Sequence, residues 1–136
     1  MSRYIAVIDY DETEELYGAY FPDALGCTAM GVTEEEVVAN ATDALSEWVT
    51  DMVGDGQDVP EPRSYAQLLK SNEYGLGTGG MIATIPLYFE SGRSVRANLS
   101  LDAGLLQSID SEAAHLGITR SAFLAAAARD KLKRSA

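Results

Sequence analysis

The chain has 136 residues, enough for one ordinary domain or two small ones. Its apolar share of 46% and charged share of 23% are those of a globular protein, with no apolar run long enough for a membrane span. One cysteine excludes an internal disulfide framework and one histidine beside it argues against a structural zinc site, while a net charge of -11 argues against a uniform nucleic-acid binder.

Met1-Ser2-Arg3-Tyr4 leads into a strand pattern rather than a signal peptide, and the single cysteine fits a reducing cytoplasm. Residues 4–8, apolar throughout, read as a buried strand, and Asp9-Tyr10-Asp11-Glu12 as an acidic turn. Leu16–Phe21 is aromatic-rich and strand-like. Pro22-Asp23 breaks it, Gly26 marks a turn, and residues 27–31 supply a third strand. The connections are too short for parallel crossovers, so the three form an antiparallel meander.

Thr33 with Glu36 three residues on makes a capping box. The helix behind it carries Val37, Val38, Ala41, Ala44, Leu45, Trp48, Val49 and Met52 on one face, suited to covering the sheet. Gly54 and Gly56 end it. Ser64 and Gln67 can cap a short helix through Leu69. Residues 75–80 hold four glycines and read as mobile or tightly turned. Residues 81–89 read as a fourth strand with Pro86 near its end or on a sheet edge. Glu90-Ser91-Gly92-Arg93 is a polar joint, dividing the chain into domains 1–90 and 91–136.

Charge divides at the same place. Residues 1–90 hold 17 acidic and 3 basic side chains, and residues 91–136 hold 4 and 7, giving -14 and +3. The larger domain repels phosphate and favours basic proteins, whereas the smaller can face nucleic acid.

Residues 94–102 alternate strictly. Val95, Ala97, Leu99 and Leu101 share one face, and Arg96, Asn98 and Ser100 the other. A lone strand cannot bury its apolar face, and two helices follow it, the first capped by Asp102 and stopped at Gly117, the second capped by Thr119. The expected partner is the same strand of a second copy, paired about a two-fold axis. Arg96, Asn98 and Ser100 then suit base edges in a major groove, where Arg reads guanine and Asn reads adenine. The plainer reading makes them the wet face of an amphipathic strand. Thr119, Arg120 and Ser121 begin a helix, where amides and dipole favour phosphate, beside ordinary capping by Thr119.

Asp9, Asp11, Glu12, Glu14 and Glu15 can be a solvated acidic face or a docking surface for a basic protein. A ribonuclease-H-like centre would need carboxylates from several strands. Asp9 could be one, but residues 81–89 contain none, so no catalytic set, metal or cofactor is expected. His115 reads as a surface or cap residue, Cys27 as a buried filler, and Trp48 as core, although partly exposed tryptophans also anchor interfaces.

Residues 94–134 resemble the ribbon-helix-helix DNA-binding domain of the Arc/MetJ/CopG type, through the alternating strand, Leu116-Gly117-Ile118-Thr119-Arg120-Ser121 and Phe123-Leu124. Residues 4–48 resemble the N-terminal domain of HicB antitoxins. The matching words are Tyr20-Phe21-Pro22-Asp23, Gly26-Cys27, Gly31-x-Thr33-x-Glu35-Glu36 and Asn40-Ala41. The resemblance implies an α+β protein: a partial ribonuclease-H-like antiparallel sheet with a covering helix, then a ribbon-helix-helix. It also implies sequestration of a small basic ribonuclease, HicA, with Asp23 joining the acidic docking set. Repression of the operator DNA by a homodimer, or by dimers paired into tetramers, follows from the same likeness. The alternative of another class is a free-standing repressor whose acidic domain senses a ligand.

Overall fold

A computed structural model of the chain describes residues 2–71 and 80–134. It comprises β1 (Arg3–Asp11), β2 (Leu16–Phe21), β3 (Ala24–Gly31), α1 (Glu34–Gly54), α2 (Tyr65–Ser71), β4 (Met81–Pro86), α3 (Ala103–Leu116) and α4 (Arg120–Lys133). The strands form one antiparallel sheet in the order β3-β2-β1-β4. The chain divides into two compact units, one through Ser91 and the other from Gly92.

In the first unit the pleat sends alternate residues of β1 to opposite faces. Tyr4, Ala6 and Ile8 pack with Ala19, Phe21 and Ile85 against Val37, Ala41, Leu45 and Val49 of α1. Ile5 and Val7 face the other way and pack with Leu68 of α2 and Tyr20. Helices on both faces explain why residues 4–8 are apolar without alternation.

The α1 cap forms as its sequence spacing predicts: Thr33 Oγ1 accepts from Glu36 N at 3.0 Å. Glu36 Oε2 reaches back to Val32 N at 3.4 Å, one residue before the cap itself. Ser64 and Gln67 cap α2 reciprocally, at 2.8 and 3.2 Å.

Three local expectations are corrected. The acidic segment 9–11 is strand, not turn: Asp9 pairs with Gly18 and Asp11 with Leu16, and the turn occupies residues 12–15. Gly26 lies inside β3 rather than before it. There the register shifts, Tyr20 pairing with Thr28 but Phe21 with Ala24, and Gly26 takes φ +88° at the resulting bulge. The alternating segment 94–102 is not a strand within the single chain, because no neighbouring backbone in its own unit pairs with it. Most of the glycine-rich stretch expected at 75–80 lies outside the described residues; Gly80 precedes β4 with φ +81°.

In the second unit, α3 begins with Asp102 Oδ2 accepting from Leu105 N at 3.0 Å and ends on left-handed Gly117. α4 begins with Thr119 Oγ1 accepting from Ala122 N at 3.1 Å. Ile109 and Ala113 of α3 are buried, and α4 buries no residue. Leu99, Leu101, Leu105, Leu116 and Ile118 remain exposed, and Val95 is 78% exposed.

Candidate partner and DNA interfaces

Five of the six carboxylates singled out by sequence gather at one end of the β1–β2 hairpin. Asp9 and Asp11 close β1, Glu12 and Glu14 form the turn, and Glu15 sits at φ +53° before β2; all five are exposed. Asp11 Oδ1 accepts from Thr13 N at 2.8 Å and Glu14 N at 3.1 Å, so this carboxylate shapes the turn as well as charging it. Tyr10 and Tyr17 pack beside it in a tilted pair, ring centroids 4.7 Å apart and planes at 58°. Burial, and then the nearby Asp9 carboxylate, push the Tyr20 phenol above its ordinary pKa. Among the described residues no three His, Cys, Asp or Glu side chains are grouped to hold a metal ion.

Asp23 is not part of that group. It follows the other end of β2, roughly 20 Å along the strand by its rise per residue. Its side chain is 8% exposed and accepts from Arg63 Nε and Arg63 N, each at 2.7 Å. The carboxylate therefore ties the 60–63 segment to the β2–β3 turn. Tyr4 OH donates to Pro60 O in the same place.

Sequence reasoning missed what this tie frames. Pro22, Leu25, Trp48, Met52 and Pro60 surround a hollow of about 280 Å³ beside the Asp23–Arg63 pair. Trp48 Nε1 donates to Leu25 O at 3.2 Å and fixes the bulge tip. Trp48 is thus half-buried at a surface hollow rather than wholly in the core. Its size and indole N–H were the available signal; the Leu25 exposure carried none. Cys27 is buried as expected, and burial raises its thiol to about 11.

In the second unit Arg96, Asn98 and Ser100 are all exposed. Ser100 joins Ala97, Leu99 and Leu101 at a hollow of about 520 Å³ that Leu106, Arg120, Ser121 and Leu124 also line. Three of the expected DNA residues therefore meet there, while Arg96 and Asn98 do not line it. Thr119 caps α4. Arg120 Nε and Nη2 donate to Asp110 Oδ1 and Oδ2, each at 2.8 Å. These hydrogen bonds hold the Asp110 carboxyl below its ordinary range. A phosphate recruiting Arg120 would have to share or displace Asp110.

A family profile described as the HicB-like antitoxin of bacterial toxin-antitoxin systems matches residues 4–128. Among solved structures, the Burkholderia pseudomallei antitoxin HicB is similar at 26% identity and TM-score 0.57, over 97% of this chain and 99% of that one. The antitoxin HicB3 structure is similar at 26% identity and TM-score 0.52, over 96% and 97%. A chain in the HicA3 and HicB3 toxin-antitoxin complex shares the fold at 21% identity and TM-score 0.52, over 63% of this chain and 98% of that one. Among curated proteins no relative matches.

Proposed function

The chain belongs to the HicB-like antitoxin family, and from that premise we propose that it sequesters a small basic ribonuclease of the HicA kind and represses its own operon. The first unit would do the former, as a partial ribonuclease-H-like sheet working by occlusion and not by catalysis. The second unit would do the latter, as a ribbon-helix-helix homodimer able to pair into tetramers. Both partners are cytoplasmic in this reading.

The observation that carries it is the partition of charge between the two units, -14 against +3. An acidic unit draws a basic protein and repels phosphate, and a basic one does the reverse. Asp9, Asp11, Glu12, Glu14 and Glu15 supply a compact acidic end to the hairpin. Complexes of toxins with chains of this fold are known, as in the HicA3 and HicB3 complex and one from Streptococcus pneumoniae.

For the second unit, support comes from its missing core. With Ile109 and Ala113 its buried apolar residues, a segment of this size needs a second copy to bury Leu99 and Leu101. Pairing the two 94–102 segments would do so and turn Arg96, Asn98 and Ser100 outward as a ribbon for the major groove. Thr119, Arg120 and Ser121 would then meet flanking phosphates.

The test has two arms. The full chain should block RNA cleavage by the small basic protein encoded beside it, and should shift the upstream DNA in a gel. Arg96→Ala should cost roughly 1–3 kcal/mol at its cognate base and relax specificity there. A folded dimer carrying Arg96→Ala, Asn98→Ala and Ser100→Ala with undiminished affinity and specificity would exclude the ribbon as the reading element.

A further inference from the structure

We infer that the hollow between the β2–β3 bulge and the C-terminal half of α1 seats one apolar side chain of the basic partner protein, flanked by that partner's lysines or arginines. The inference rests on the reading that the first unit binds a basic protein, and gives that contact a place away from the hairpin turn.

The hollow is built rather than frayed. Phe21 pairs with Ala24 and Tyr20 with Thr28, so residues 25–27 stand out of the ladder. Gly26 makes the corner at φ +88°. Leu25 is left 69% exposed, yet Trp48 holds its carbonyl in place. The opposite wall, Pro60, is pinned by Tyr4 OH, and the Asp23–Arg63 pair locks the wall to the turn. Tryptophan is enriched at binding hot spots, and Trp48 stands half-buried on this fixed backbone with Leu25 displayed beside it.

Size and charge choose the occupant. About 280 Å³ is below the roughly 300–1,000 Å³ of small-molecule pockets and suits a single inserted side chain. Residues 43–61 carry six carboxylates and no lysine or arginine. Asp51 lies three residues beyond Trp48, and Asp55 three beyond Met52, which places both about one turn along from the lining residues. The last turn of α1 has no basic residue, so the negative end of its dipole adds to the acidic character of this rim, its last carbonyls being capped only by neutral backbone N–H groups. Arg63 is engaged by Asp23. Phosphate-bearing and acidic partners are repelled by this rim, and a cationic segment with an apolar anchor complements it.

The test uses the full chain and the small basic protein encoded beside it. Leu25→Asp should weaken binding more than tenfold, mainly through faster dissociation, while Leu25→Met stays near wild type. The Asp51→Lys, Asp55→Lys double variant should slow association and flatten its salt dependence. Emission of Trp48, the single tryptophan of the chain, should shift as the partner is added. A Leu25→Asp chain that melts like wild type and binds within twofold overturns the hollow and leaves the antitoxin reading intact. An unmoved Trp48 emission at saturation does the same, even if Leu25→Asp proves unstable. A wild-type chain that does not bind the basic protein overturns both. A change of oligomeric state in Leu25→Asp with partner binding intact makes the occupant another copy of this chain, and the inference fails.

Discussion

Gly31 ends β3 two residues before the cap of α1, and a single methyl group there should loosen the first unit. A Cβ at Gly31 would stand 2.5 Å from Val37 N, 2.9 Å from Val37 Cα and 3.0 Å from Glu36 C. All three are backbone atoms, so no change of rotamer relieves the contact. The start of α1 must lift, and Val37 and Ala41, both fully buried, lift with it. Overpacking of this kind costs about 1–3 kcal/mol. Alanine restricts the unfolded chain and offsets about 0.4–1 kcal/mol of that. The net loss of about 1.5 kcal/mol corresponds to a melting temperature lower by about 6–12 °C for a unit of this size. Gly18→Ala is the control, because nothing lies within 4 Å of a Cβ there; it should melt at or slightly above wild type. Trp48 emission follows the first unit alone, since the only tryptophan lies in it. If Gly31→Ala melts within about 2 °C of Gly18→Ala, helix and strand do not approach as described and the packing argument is wrong.

Under the proposed ribbon dimer, Leu99→Asp should convert dimer to monomer in light scattering and abolish DNA binding, because it places a charge where two copies would bury leucine; a mass equal to that of the wild-type chain would count against the ribbon dimer. Cys27 should resist alkylation at neutral pH and react at the rate of unfolding, since burial raises its thiol from 9.0 to about 11. The neutral thiol's contribution to stability is full below about 9 and is lost as pH rises toward about 11. A Cys27→Ala chain with the same alkaline stability profile would show that the thiol does not carry this effect.

Local chemistry was the most legible part of the fold. The caps at Thr33, Ser64, Asp102 and Thr119 each bind an amide within three residues, so sequence spacing alone finds them. The end of β1 was misread because hydropathy reports burial, while Asp9 and Asp11 are held in the strand by pairing with Gly18 and Leu16. The bulge at Gly26 depends on the register with β2, which no local pattern records. Asp23 and Arg63 are 40 residues apart, and only the tertiary fold shows that this carboxylate serves the wall of a hollow. For residues 94–102 the alternation was plain, but a strand is a property of two segments, and the single chain holds one.

α4 is a 14-residue helix with no fully buried side chain, Phe123 and Leu124 being only partly covered within the single chain. A helix of that length is marginal in water without packing. Under the dimer reading its cover is another molecule of the same chain, so its folding becomes second order in concentration. Dilution below the dimer dissociation constant would then abolish the ribbon itself, not just its occupancy of DNA. Repression would count antitoxin molecules, and its response to a falling supply would be steeper than that of a preformed binder. Far-ultraviolet ellipticity should reveal this as helix lost on dilution, while the first unit, with its own closed core, keeps its tryptophan signal unchanged.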